Sequence, residues 1–252
     1  MASPPGSSGA AGQMNKAVLP STPGEDSGFY RLGGLSAILL AVGYIAIIPL
    51  YLIAGPPPSG GEPRLQYLAG KTTLWWLILA ISVLTDLLFI PLALSLYLAL
   101  KGLNRNAMLI AVALMTLFVV LDLAVTWTNY GALLTLSSGY AGATTSQRAT
   151  YVAAAGYSSS VLSSGVAAVY TIMVPSLAIL IVGLVMLKGV FHKGVAYLAV
   201  VTGAAGTLSV VGSFLTTAFN VAVVLTSALT TIWILAVGIR LFRLGSPSFR
   251  VR

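Results

Sequence analysis

The chain has 252 residues, of which 58% are hydrophobic and only 7% charged, and its mean hydropathy is +0.97. Soluble globular domains carry about 25% charged residues and disordered chains are poor in apolar residues, so both classes are excluded. The net charge of +8 comes from cations scattered between apolar runs rather than gathered in one patch, which argues against a nucleic-acid partner. The class that remains is a polytopic helical membrane protein.

The two ends of the chain differ from its centre. Residues 1–28 are rich in Pro, Gly and Ser and hold almost nothing apolar, which predicts a disordered cytoplasmic tail. A transmembrane domain is expected over residues 29–243, and a short basic tail over residues 244–252. The arginines near this end are expected to bind anionic lipid, each contributing about 1 kcal/mol. They are Arg240, Arg243, Arg250 and Arg252.

Apolar runs of transmembrane length follow the first tail. A helix needs about 20 residues to cross roughly 30 Å of hydrocarbon at about 1.5 Å per residue. The sequence therefore predicts an all-α bundle of six transmembrane spans. They cover residues 31–54, 71–100, 106–134, 161–187, 195–215 and 220–242.

Lysine and arginine are distributed unevenly between the two sides of such a bundle. With six spans both termini lie on one side, and that side holds all but three of the 13 cations. The exceptions are Arg64, Lys71 and Arg148. Because cytoplasmic segments carry an excess of Lys and Arg, we expect both termini in the cytoplasm and a multi-pass protein of the cell (plasma) membrane.

Two connections on the outer side differ in kind. Residues 55–63 are rich in proline and glycine, which is typical of a rigid, turn-rich loop. Residues 137–160 form a longer connection, for which two interpretations stay open. It is either an interfacial helix with Tyr151 and Tyr157 at headgroup depth, or a solvated loop with one helical turn.

Aromatic residues near the span ends predict an aromatic belt. Tyr67, Trp75 and Trp76 occur together at the start of the second span, where such residues anchor a helix at the membrane surface. Trp127 and Trp233 lie deeper in their spans and are expected to pack in the core.

The composition also limits the chemistry. The chain has no cysteine and a single histidine, His192, which excludes disulfides, thiolate metal sites, iron–sulfur clusters and bis-histidine haem. No constellation of a nucleophile and a base is recognisable. We therefore expect no enzymatic activity, no catalytic residue, no cofactor and no metal site.

Two aspartates lie deep within the predicted spans. Asp86 is midway along the second span, and Asp122 lies on the third at about the same depth, counted from the short loop that joins the two helices. No lysine, arginine or histidine lies at that depth, and a bare carboxylate at a helix centre costs about 2.5 kcal/mol or more. Each carboxyl group should therefore face the bundle interior. Desolvation and mutual repulsion favour protonation of at least one of them.

Polar side chains near the aspartates complete a candidate proton or ion site. Thr126 and Asn129 follow Asp122 at i+4 and i+7, which places them on one helix face. The candidate site comprises Asp86, Asp122, Thr126, Asn129, Ser82 and Thr85. Hydroxyl groups on the fourth and sixth spans predict a polar cavity open to the outside. They belong to Ser160, Ser163, Ser164, Ser227, Thr230 and Thr231.

Three functions for the aspartates compete. They either hydrogen-bond across helices as structural glue, at about 0.6 kcal/mol per bond, or form a proton or cation site in a small transporter or channel. An intramembrane aspartyl protease is the third, but its Tyr-Asp and Gly-x-Gly-Asp motifs are missing, because Thr85 and Leu121 precede the two acids. A transporter should show a water-accessible cavity that reaches both acids, whereas structural glue should be sealed.

The segment Leu84-Thr85-Asp86-Leu87-Leu88-Phe89-Ile90-Pro91, followed by Leu96-Tyr97, Lys101 and Asn104-Arg105, resembles a bacterial and archaeal family of six-span membrane proteins of unknown function. The opening Tyr30-Arg31-Leu32-Gly33-Gly34-Leu35 is similar too. The resemblance implies the six-span topology and no catalytic residues. The leading hypothesis is a non-enzymatic structural or accessory membrane subunit, with a membrane protein or a second copy of itself as partner. The alternative is a small proton- or cation-coupled transporter or channel.

Overall fold

The structure is a computed structural model that describes residues 26–189, 191–216 and 220–246. Every regular element within these residues is a helix, and six helices are long and apolar enough to cross a membrane. The bounds are α1 Asp26–Ala54, α2 Gly61–Ala69, α3 Thr72–Leu100, α4 Arg105–Ala141, α5 Thr145–Leu162, α6 Gly165–Met186, α7 Lys193–Ser213 and α8 Asn220–Leu244. The long helices are α1, α3, α4, α6, α7 and α8, so the predicted all-helical class and the number of long helices are confirmed.

Some helix ends differ from the predicted ones. α1 begins at Asp26, so residues 26–28 of the predicted tail are helical; the rest of that tail and residues 247–252 lie outside the described residues. α4 continues to Ala141 rather than ending at residue 134. α6 begins at Gly165 rather than at residue 161, because the Ser164 side chain accepts a hydrogen bond from the Ala167 amide and starts a new helix there.

The six long helices form a closed ring. Each contacts its two neighbours in the order α1, α3, α4, α6, α7, α8, and the ring closes where α8 packs against α1. Neighbours are antiparallel, and at two contacts glycine permits close approach. A Cβ atom at Gly203 would lie 2.5 Å from the Leu180 amide nitrogen, and one at Gly238 would lie 2.8 Å from the Cβ of Ala37. Such small residues let helix backbones approach and gain van der Waals contact, which is what drives helix association in lipid.

Apolar side chains both fill the ring and cover its outside. The main cluster includes Leu92, Leu96 and Met108, each fully buried. Large apolar side chains also point away from the bundle, such as Leu52, which is 79% exposed. Soluble proteins rarely expose apolar surface on this scale, so the outer face is compatible with contact to lipid.

The two short helices form a cap on one end of the ring. We use "cap" for residues 55–71 and 142–164, which include α2 and α5. These helices pack on each other and on the ends of α3 and α4, around a second apolar cluster that contains Leu65, Leu68 and Trp75. The end of the ring with the cap is called the cap end below.

The structure of the cap differs from the loop predicted over residues 55–63 and decides between the two interpretations of residues 137–160. The predicted loop over residues 55–63 ends at Gly60, and α2 follows, with Pro63 in its first turn, where the missing N–H needs no partner. Gly55 and Gly60, at the two ends of the shortened loop, adopt φ values of 70° and 95°. Of the two interpretations of residues 137–160, the helical one matches α5, which begins with a capping box formed by Thr144 and Gln147. Its position at a lipid surface stays a prediction.

Arg64 links separate parts of the cap through hydrogen bonds from a buried side chain. Its side chain is only 4% exposed and donates from Nε to the Pro58 carbonyl at 2.9 Å. The two terminal nitrogens donate to the Ser159 carbonyl at 3.4 Å and to the Ser163 hydroxyl at 3.3 Å. One guanidinium group therefore joins the loop before α2 to the end of α5.

We predict that Arg64→Ala lowers the free energy of unfolding by about 1.5–3 kcal/mol, because hydrogen bonds to a charged group are lost and buried carbonyls lose their donor. The measurement is unfolding in detergent, with hydrogen exchange of α5 as a local readout. Arg148→Ala is the matched control. Arg148 is exposed on α5 and lies over the Tyr140 ring at 5.1 Å, so its loss should cost about 1 kcal/mol or less. Equal effects of the two variants would contradict this role of Arg64.

Candidate functional site

The structure brings the two deep aspartates into contact. Asp86 lies at the middle of α3 and Asp122 on the neighbouring α4, and their carboxyl groups are within hydrogen-bonding reach of each other. The exposed fractions of the two residues are 3% and 6%. The pair is therefore sealed inside the ring, at the seam between two adjacent helices.

Trp127 is part of this site, although its sequence position predicted only core packing. Its Nε1–H donates to Oδ2 of Asp86 at 2.7 Å. A π-helical turn over Asp122–Trp127 interrupts α4 and explains why the sequence did not reveal this contact. Residues five apart in a regular α-helix point about 140° away from each other, but one wider π turn returns the chain to the same face after five residues. Asp122 and Trp127 can therefore both face Asp86.

Thr126 is the one hydroxyl of the predicted site that joins the pair. It lies within hydrogen-bonding reach of Asp122 and hydrogen-bonds with the Tyr170 hydroxyl, at an oxygen–oxygen distance of 3.1 Å. Tyr170 lies in a second π turn, Val169–Met173 of α6. Polar side chains within reach of one another thus extend from α6 through the two acids to Trp127.

The other three predicted residues do not bind the aspartates. The Asn129 amide donates to the Val125 carbonyl of its own helix at 2.7 Å, because the π turn disrupts the predicted i+7 alignment with Asp122. The Thr85 hydroxyl donates to the Ser82 carbonyl at 2.8 Å. The Ser82 side chain lies within hydrogen-bonding reach of Tyr51 of α1. The proton or ion site predicted from six residues therefore reduces to Asp86, Asp122 and Thr126, with Trp127 added.

One carboxyl oxygen of the aspartate pair differs from the others in its hydrogen bonding. Oδ1 of Asp122 is buried and has no hydrogen-bond partner among the residues that the structure describes. Within the same residues, no three His, Cys, Asp or Glu side chains come together in a way that could hold a metal ion. Two carboxyl groups in contact cannot both ionise without strong repulsion, so the chemistry that the pair supports best is the sharing of a proton.

A cavity of about 390 Å³ lies beside the pair, in the half of the ring nearer the cap. Its first wall is aromatic and consists of Tyr44 and Tyr51 of α1, Phe89 of α3 and Phe118 of α4. Its second wall, on α6 and α8, carries hydroxyl groups between apolar side chains. These hydroxyls belong to Thr171, Ser176, Thr226, Ser227, Thr230 and Thr231.

The aspartates do not line the cavity, but aromatic residues close to them do. Phe89 lies one turn from Asp86 and Phe118 one turn from Asp122, and the two rings meet edge to face at 5.4 Å. Tyr44 lies on the cavity side and close enough to interact electrostatically with both carboxyl groups. The cavity and the acid pair are thus neighbours that share one wall.

The cavity differs from the polar cavity that the sequence predicted. Ser227, Thr230 and Thr231 line it as expected, but the predicted hydroxyls at 160, 163 and 164 do not. Ser160 belongs to α5 in the cap, and the other two lie in the turn before α6. The separate cap helix therefore removes half of the predicted polar lining.

An aromatic column connects the cap with the acid pair. Trp75 is fully buried, stacks on Tyr130 at 4.8 Å and donates to the Tyr67 hydroxyl at 3.2 Å. Tyr130 in turn lies 5.8 Å from Trp127. The predicted aromatic belt is therefore wrong for Trp75, because α2 covers this end of α3; Trp76, on the other face of α3, is 45% exposed.

Comparison with family models, with curated proteins and with solved structures finds no match for this chain. The resemblance of residues 84–105 to a six-span family stays a prediction.

We predict that Trp127→Phe lowers the free energy of unfolding by about 1–2 kcal/mol, because a buried carboxyl oxygen loses its donor. Trp233→Phe is the matched control. Trp233 is fully buried, but its Nε1 has no hydrogen-bond partner among the described residues, so removing that N–H costs no bond. Thermal unfolding in detergent compares the two variants, and similar losses in both would show that the Trp127 bond contributes nothing specific.

Proposed function

We propose that this chain is a non-enzymatic integral membrane protein that acts as a structural or accessory subunit, in which the aspartate pair fixes α3 against α4. The observation that carries the proposal is the sealing of the pair. Both acids are at least 94% buried, Trp127 donates a hydrogen bond to Asp86, and neither acid lines the cavity. This is the arrangement expected of structural glue and not of a wetted transport site.

Such a pair fixes the register of α3 against α4 in addition to stabilising the bundle. Interhelical side-chain hydrogen bonds in membranes contribute about 0.6 kcal/mol each on average. A slip of α3 along α4 would leave carboxyl groups in hydrocarbon without a partner, which is far more costly. The pair therefore holds the two helices at one relative height.

The proposal includes the orientation and surroundings of the protein. The cations near the ends of the long helices, such as Arg31, Lys101 and Lys188, lie at the end opposite the cap, whereas Arg64, Lys71 and Arg148 belong to the cap. This asymmetry supports a cap outside the cell membrane and both termini in the cytoplasm. We also propose that the basic C-terminal end binds anionic lipid. The proposed partner is another membrane protein or a second copy of this chain, and the proposed family is the six-span family that the chain resembles.

We predict that the cap faces outward, and the absence of cysteine makes the test clean. Gly102→Cys lies at the end opposite the cap and Gly142→Cys lies in the cap; both positions are exposed, and an added Cβ meets no heavy atom within 4 Å. A membrane-impermeant maleimide applied to intact spheroplasts should label Gly142→Cys alone. Gly102→Cys should react only after permeabilisation, and the reverse pattern would overturn the proposed orientation.

A small proton- or cation-coupled transporter or channel is the second candidate, and one observation favours it. Oδ1 of Asp122 lacks a partner among the described residues, next to two π turns that Thr126 and Tyr170 connect. π turns occur frequently at functional sites.

Flux measurements separate the two candidates. We predict that proteoliposomes loaded with a pH-sensitive dye show no proton flux that depends on the aspartates, with or without a sodium gradient. Asp86→Asn and Asp122→Asn should each lower the free energy of unfolding, by about 0.6–1.7 kcal/mol. Glu62→Gln is the control, because Glu62 is an acid of the cap that accepts from Tyr140 at 2.8 Å. A flux present in the wild type and in Glu62→Gln but lost in Asp86→Asn would establish a transporter instead.

A further inference from the structure

We infer that the cavity between the aromatic wall and helices α6 and α8 binds an uncharged, mostly apolar molecule that carries a hydrogen-bond donor, of the class of lipid-soluble alcohols and phenols. This inference goes beyond the proposed function and does not depend on the role of the aspartates. It rests on the size of the cavity, the chemistry of its two walls and the position of its opening.

The size and charge of the cavity suit a small neutral molecule. Its volume of about 390 Å³ falls within the range of about 300–1,000 Å³ typical of small-molecule sites. None of the described residues that line it is Asp, Glu, Lys, Arg or His. Because a charged ligand would lose its hydration without gaining an opposite charge in the lining, the cavity disfavours ions.

Three threonines of the hydroxyl wall offer acceptors rather than donors. Thr171 donates its hydroxyl hydrogen to the Ala167 carbonyl at 2.7 Å, and Thr230 and Thr231 donate to the Thr226 and Ser227 carbonyls at 2.8 and 2.9 Å. A hydroxyl has one hydrogen to donate and two acceptor lone pairs. These three threonines therefore offer lone pairs, which suit a ligand that brings a hydrogen-bond donor.

The opening lies on the side of the ring that the cap leaves free. The cap packs on α3 and α4, whereas the exposed lining residues lie on α1 and α8. Ile48 is 51% and Tyr51 39% exposed, and Ser227 and Ala228 are exposed as well. Large apolar side chains surround this opening, such as Ile45 on α1, which is 55% exposed. A ligand that enters here comes from an apolar phase, which favours a lipid-soluble molecule.

The test uses two photoreactive probes that differ only in the donor. Decan-1-ol carrying a diazirine in its chain and the methyl ether of the same compound are each applied to the full chain in phosphatidylcholine nanodiscs. Cross-linked residues are located by peptide mass spectrometry. The alcohol should label the lining residues of α6 and α8 about five-fold more than the ether does, as one net hydrogen bond implies. Excess decan-1-ol should compete with this labelling.

Threonine-to-valine variants test whether the preference for the alcohol over the ether depends on the threonine hydroxyls. Thr171→Val and the double change Thr230→Val with Thr231→Val keep the side-chain shape, remove the acceptors and should bring the alcohol-to-ether ratio towards one. Thr207→Val is the matched control, because Thr207 donates to the Gly203 carbonyl of α7 at 2.8 Å and does not line the cavity. The alcohol-to-ether labelling ratio of Thr207→Val should equal that of the wild type. Thermal unfolding checks that each variant folds.

Three outcomes would overturn the inference. The first is equal labelling by alcohol and ether in the wild type. The second is an unchanged preference in the valine variants that still fold. The third is labelling spread evenly over the outer faces of the long helices, which is the pattern of bulk lipid contact.

Discussion

Hydrocarbon offers no hydrogen-bond partners, so polar groups on helices apolar enough to cross a membrane are stabilised by partners inside the protein. The backbone meets this constraint by forming helices, and many hydroxyls meet it in the same way, by donating to a carbonyl of their own helix. Thr135 and Thr207 are examples. The carboxyl groups of Asp86 and Asp122 have no such local solution, and they turn to each other and to Trp127 across the seam between α3 and α4.

The same constraint explains why the acid pair and the cavity adjoin but differ. At the acid pair, Trp127 donates to a carboxyl oxygen of Asp86, and Thr126 lies within hydrogen-bonding reach of Asp122. In the cavity, Thr171 and Thr230 donate their hydroxyl hydrogens to carbonyls of their own helices, so lone pairs are what these two threonines offer to a ligand. Phe89, Phe118 and Tyr44 line the cavity, and the aspartates do not. The acid pair is therefore buried among protein groups, whereas the cavity has room for a ligand.

The cap makes the bundle asymmetric. It covers the ends of α3 and α4, which are the helices that carry the acids, and the aromatic column of Trp75, Tyr130 and Trp127 continues from the cap to the pair. Arg64 holds the cap closed through three hydrogen bonds to neutral oxygens. The cap does not cover the side of the ring formed by α1 and α8, where the cavity has exposed lining residues. The acid pair thus lies on the side of the ring that the cap covers, and the cavity opens on a side that the cap leaves uncovered.

The sequence alone determined the helical class, the number of long helices and the depth of the two acids. Run length and the spacing of residues along a helix suffice for these properties, because they depend on local geometry and on the thickness of hydrocarbon. The residues around Asp122 illustrate where that reasoning stops. Regular helical spacing correctly selected Thr126, but it wrongly selected Asn129 and overlooked Trp127.

Only the tertiary structure decided the π turns, the ring order and the cap. A π turn inserts a residue without a distinctive sequence signal and rotates everything after it, so Trp127 reaches Asp86 and Asn129 does not. The closure of α8 against α1 joins residues about 200 positions apart, such as Gly34 and Phe242, and no local pattern encodes such a contact. The same holds for the cavity, whose walls come from five helices and exist only once the ring has closed.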